Sequence, residues 1–250
     1  MITRQNIVAS SVALFAALFL CSGCASMNSA VGRTNYNPAS YGTQALIDML
    51  SKQQPPRSDA VAAAVELRNR NLQSIDIASL CEIASREQTH ADARVVFIKT
   101  LEIKECFECT THLRDVALSD DSDEVAVAAS TTYYRFAESD KEKIAFLTEA
   151  LTSSPHAIIR MRAAKAMKCF GGQVESVLLE QLNKETSASA ALAICETLAD
   201  FAAPDGIALL ATVANDVNRK FESDSFPPRN IKVKSDDVRV FAVRTIEGLN

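Results

Sequence analysis

Tryptophan is absent from the 250 residues, glycine and proline number seven each, and aromatic side chains make up 6%. An all-β sandwich or barrel needs Gly, Pro, Asn or Asp turns about every 8–12 residues. A chain so poor in turn residues argues against that class. Positive charge is not in excess: the formal net charge is −5, so the basic footprint of a nucleic-acid binder is missing and no nucleic-acid partner is expected. No P-loop, G-x-G-x-x-G, H-E-x-x-H or nucleophile elbow occurs, and only His90, His112 and His156 carry imidazole. No cofactor, metal or catalytic residue is therefore assigned, and the chain reads as non-enzymatic. Alanine is what abounds, at 38 residues, within a 48% apolar composition that excludes a disordered chain. Alanine has the best intrinsic helix propensity, so the composition suits closely packed helices.

The N-terminus differs from the rest. Arg4 precedes an uncharged run from Ile7 to Cys21, too short to span a bilayer comfortably and of signal-peptide length. Ser22-Gly23-Cys24 follows. This end resembles a bacterial lipoprotein signal, with Cys21 where the lipobox usually has leucine and Leu20 one place earlier. The resemblance implies cleavage after residue 23 and acylation of Cys24, palmitate included, which anchors the mature chain in a membrane. Ala25, not Asp, follows the lipidated position; by the sorting rule of enteric bacteria this favours the outer membrane, facing the periplasm. An ordinary secretory signal and an uncleaved anchor are the alternatives. Residues 24–42, rich in Ser, Asn and Ala, read as a flexible tether with a reach of roughly 25 Å.

From residue 43 a repeat appears. A helical pattern anchored at Arg94, Ala126, Arg160, Ala191 and Arg239 recurs at spacings of 32, 34, 31 and 48. One residue before each anchor stand Ala93, Val125, Ile159, Ala190 and Val238; three after stand Phe97, Ala129, Ala163, Ile194 and Ala242. Thr or Ala occupies the sixth place after, and Leu101, Tyr133, Met167, Leu198 and Ile246 the seventh. These offsets describe one face of an α-helix. A weaker copy covers about 58–71, and second helices are expected near 74–86, 107–119, 140–153, 173–184 and 205–217. Residues 44–53 look like a starting helix. Asp59, Asp92, Asp123, Ser187 and Asp236 are placed as N-caps, and Gly171-Gly172 as a C-cap.

The segment HAIIRMRAAKAM resembles the first helix of a HEAT-like (armadillo-type) repeat. What the resemblance implies is an all-α, right-handed α-α superhelix over 43–250, with about five helix pairs and a closing C-terminal helix. A helix pair cannot bury its apolar face alone, so stacked neighbours supply the core.

Two features stand apart. Cys106-Phe-Glu-Cys109-Thr-Thr-His112 reads C-x₂-C-x₂-H. It lacks the C-x-x-C-H order of a haem site and the βαβ context of a redox pair, and for zinc no fourth ligand is obvious, so Glu105 or Glu108 would have to serve; a local or redox disulfide is a further alternative. Buried small thiols at a helix start are the plain reading, with metal- or thiol-dependent activity at Cys106, Cys109 and His112 as the enzymatic alternative. Equivalent positions of Cys81 and Cys109, and of Cys169 and Cys195, differ by five residues, about 7.5 Å of helix rise. That exceeds the usual disulfide Cα separation of about 4.4–6.8 Å and disfavours both pairings. The second feature is an irregular insert over 218–235, which accounts for the long last spacing. Its second half is basic through Arg229, Lys232 and Lys234, and insertions in helical repeats often map to the binding face. The expectation is an envelope-anchored scaffold or adaptor that docks a protein partner, with Arg229, Lys232 and Lys234 as contacts. A small-ligand or lipid carrier using the superhelix groove is the remaining alternative.

Overall fold

The computed structural model describes residues 36–52, 55–226 and 231–249. The expected leader, Cys24 and most of the tether lie outside the described residues. Among those described, no helix is long and apolar enough to cross a membrane.

Among the described residues the protein is all-α apart from one short pair of strands. One compact unit ends at Glu138 and the next begins at Ser139. The first contains α1 (Thr43–Lys52), α2 (Arg57–Asn69), α3 (Ser74–Ala84), α4 (Ala91–Ile103), α5 (Thr110–Ser119) and α6 (Asp123–Phe136). The second contains α7 (Asp140–Ser153), α8 (Ala157–Met167), α9 (Glu175–Lys184), α10 (Ala188–Phe201), α11 (Pro204–Asn215) and α12 (Ser235–Leu249). Strands β1 (Asp224–Phe226) and β2 (Ile231–Val233) lie between α11 and α12.

Within the first unit, α4 packs against both α2 and α6; within the second, α10 packs against both α8 and α12. These are the helices carrying the repeated offsets. Ala93, Phe97 and Thr100, Val125, Ala129 and Thr132, Ile159, Ala163 and Ala166, and Ala190, Ile194 and Thr197 are all buried. The small residue at the sixth place does more than permit close approach. Thr197 donates its hydroxyl to the Ala164 carbonyl at 3.0 Å, and Thr132 donates to the Glu102 carboxylate at 3.2 Å. Each hydroxyl thus ties its helix to the equivalent helix one repeat earlier.

Helix starts follow local chemistry, although the aspartates do something other than cap. Ser122, Ser139 and Ser187 are the N-caps, accepting from the amides of Val125, Glu142 and Ala190. Asp59, Asp92, Asp123 and Asp236 sit among the first three residues of their helices, inside the first turn, where a negative charge complements the helix dipole. Gly171 adopts φ 57°, a left-handed conformation that glycine takes without a Cβ clash, and separates α8 from α9. At the chain's described start, Asn37 caps a 3₁₀ turn over Pro38–Ser40, and Arg70 donates to the Pro38 carbonyl at 3.3 Å. Residues 36–42 are therefore held against α2 and not free.

Candidate functional site

Three side-chain arrangements carry chemistry beyond core packing: buried arginine–carboxylate pairs, a basic pocket and a cluster of three sulfurs.

Two of the arginine anchors, Arg94 and Arg160, pair with carboxylates in the loop before the next repeated helix. Arg94 donates to Asp120, both almost fully buried at 4% and 3% side-chain exposure. Arg160 grips Glu185 through two parallel hydrogen bonds, Nε at 3.0 Å and Nη2 at 2.9 Å, with Glu185 only 1% exposed. The carboxylates also hold the loop: Asp120 accepts from the Ser122 amide at 2.9 Å, and Glu185 from those of Thr186 and Ser187 at 3.0 and 2.9 Å. Burial pushes the Glu185 carboxyl up, but its bonds from Arg160, Ser187 and Gln181 outweigh this and hold it below the usual range. Asp120 and Glu185 each stand two residues before a capping serine, a carboxylate-x-Ser pattern that was legible but carried no expectation.

Within the insert, expected to be irregular, β1 and β2 pair antiparallel. The register pairs Asp224 with Val233, Ser225 with Lys232 and Phe226 with Ile231. The hairpin is clamped to the start of α10. Asp224 accepts from the Ser187 hydroxyl at 2.6 Å and the Ser189 amide at 2.9 Å, while Glu222 and Thr186–Ala188 exchange backbone bonds of 2.6 and 2.8 Å. The buried Phe221 donates its amide to Ser235 Oγ at 3.0 Å, closing the base of the insert.

Between this hairpin, the end of α11 and the start of α12 lies a pocket of about 480 Å³. Its walls include five cations, Arg219, Lys220, Lys232, Lys234 and Arg239, against two carboxylates, Asp216 and Asp236. Arg219 is committed elsewhere, donating to the Leu182 carbonyl and stacking 4.9 Å from the Phe221 ring centre. Lys232 and Lys234 are exposed. Two of the three expected contact residues thus line one pocket; Arg229 and Cys24 lie outside the described residues.

The third arrangement corrects the expectation for cysteine. Cys81 and Cys109 form a disulfide, with Cα atoms 6.0 Å apart. The helix-rise argument fails because Cys109 is not inside a second helix. Helix α5 starts only at Thr110, and Phe107–Cys109 is a 3₁₀ turn entered through Glu105 at φ 51°. The chain folds back after α4, with the Cys106 amide bonded to the Leu101 carbonyl at 3.0 Å, and delivers Cys109 to α3. Cys106 is a free, buried thiol whose Sγ lies 3.1 Å from Cys109 Sγ. The grouped sulfurs are those of Cys81, Cys106 and Cys109; His112 is exposed and does not join them, so the C-x₂-C-x₂-H set is not assembled. Cys195 is buried, and burial pushes its thiol up to about 12, as befits a small neutral core residue. Cys169 is exposed and takes part in no disulfide.

Neither a family model, nor a curated protein, nor a solved structure matches the chain.

Proposed function

We propose that the protein is a lipid-anchored, non-enzymatic docking scaffold of the bacterial cell envelope, built as a right-handed superhelix of HEAT-like pairs. The repeat reading is supported by the stacking of α2, α4 and α6 in one unit and of α8, α10 and α12 in the other. The observation that carries the docking role is the basic pocket. An acidic chain with a net charge of −5 gathers five cations around one concavity and presents two of them, Lys232 and Lys234, from an inserted hairpin. Such a patch attracts a partner segment rich in Asp and Glu, because complementary charge steers encounter and penalises partners of the wrong sign.

Two outcomes are expected. Cys24→Ala releases the protein from membranes into the soluble fraction, read by fractionation and immunoblotting; continued membrane association places the anchor elsewhere. In-cell crosslinking with mass spectrometry of the anchored protein yields a partner whose linked peptides are acidic. The Lys232→Glu, Lys234→Glu double variant loses that crosslink by about tenfold or more, while its circular dichroism is unchanged. An undiminished crosslink overturns the pocket as the docking point.

A further inference from the structure

We infer that Cys81, Cys106 and Cys109 form an internal thiol–disulfide exchange site, at which the chain converts between two covalent isomers without gaining or losing electrons. The geometry rests on one disulfide and one thiol confined together. The bond joins Cys81 of α3 to Cys109 in the turn before α5, and the free Cys106 Sγ stands 3.1 Å from Cys109 Sγ. Exchange proceeds by attack of a thiolate on a disulfide sulfur, so the third sulfur is already at the atom it must attack. All three cysteines are buried, which keeps external thiols away and makes the internal nucleophile the one with access.

The step balances within the cluster. The Cys106 S–H proton passes to the Glu108 carboxylate, whose Oε2 lies 3.4 Å from Cys106 Sγ. Cys106 sulfur bonds to Cys109 sulfur, the Cys81–Cys109 bond breaks, and Cys81 departs as a thiolate that takes up the proton. One disulfide and one thiol exist before and after. Burial and the neighbouring Glu108 carboxylate push the Cys106 thiol up to about 11, so near neutrality it is protonated and the Cys81–Cys109 isomer persists between rare attacks. The isomers differ in what they join. The first staples α3 to the turn at 107–109 across 28 residues of sequence; the second closes only the 106–109 loop, leaving α3 unlinked and Cys81 as the thiol.

Trypsin reports the isomers separately, because Cys81 falls in the peptide 71–86 and both Cys106 and Cys109 fall in 105–114. The folded, full-length protein is incubated in mildly alkaline buffer, quenched in acid, unfolded, treated with N-ethylmaleimide at acidic pH and digested. Exchange gives a growing fraction of label on peptide 71–86, together with a 105–114 peptide two hydrogens lighter. In Cys106→Ser, peptides 71–86 and 105–114 stay crosslinked and the label on 71–86 is lost. A wild-type protein whose label stays wholly on Cys106 at every time point overturns the inference, as does label on Cys81 that persists undiminished in Cys106→Ser.

Discussion

Replacing Glu185 with alanine is expected to lower the unfolding free energy by about 3–5 kcal/mol, the range for removing one partner of a buried ion pair. The substitution strands the Arg160 guanidinium, 14% exposed, and deprives the Ser187 and Thr186 amides and the Gln181 side chain of their acceptor. Because Ser187 caps α10 and also binds Asp224 of the hairpin, loosening the loop reaches the pocket as well as the repeat junction. Urea unfolding followed by circular dichroism measures the loss. Glu180→Ala, which removes an exposed partner of Lys184 on the same helix, serves as the control and should leave the transition unmoved. A shift no larger than the control's would mean that the buried pair contributes nothing net.

The same carboxyl sets a direction with pH. Its folded value is held below the unfolded one, so its contribution is fully present above the unfolded carboxylate value of about 4.3 and is lost as pH falls through the folded value. Stability of the second unit should therefore fall as the medium is acidified below about pH 4. Glu185→Gln, which cannot ionise, should flatten that part of the decline.

The repeated helices were legible because their signal is periodic and redundant. Phe97, Ala129, Ala163 and Ile194 occupy the same offset in four copies, and burial follows directly from the 3.6-residue period. The carboxylates that answer the anchor arginines are not legible from periodicity, because a loop residue such as Asp120 shows none; its contacts with Arg94 and with the Ser122 amide give it a role. The aspartates lie one to three residues inside the helices they were expected to cap, for a related reason. Asp and Ser are both favoured near a helix start, the one by charge and the other by capping, and sequence alone does not separate Ser122 from Asp123. The hairpin escaped because three-residue strands are too short for an alternation, and Phe-Pro-Pro announces only that a helix cannot continue. The pocket charge, by contrast, was visible in Lys232 and Lys234, and the fold adds Arg219, Lys220 and Arg239 from segments up to twenty residues apart in sequence.

Cysteine gives the second large effect. Cys81→Ser is expected to cost about 3–4 kcal/mol, from the chain entropy regained by the unfolded state when a cross-link spanning 28 residues is removed. The loss is confined to the first unit, where α3 touches α1, α4 and α5 but has no other covalent tie to the turn at 107–109. Two measurements separate the cross-link from the serine itself. Reduction of the wild type should bring its urea midpoint down to near that of Cys81→Ser, whereas reduction of Cys81→Ser should change it little, since a 106–109 loop constrains only a few residues. Cys106→Ser retains the staple and should lose less than Cys81→Ser while keeping its sensitivity to reductant. With no tryptophan in the chain, the helical signal at far-ultraviolet wavelengths is the probe in each case. A wild type whose midpoint is indifferent to reductant would mean that the packing of buried residues such as Leu80 and Ile83 already fixes α3 and that the disulfide adds nothing to it.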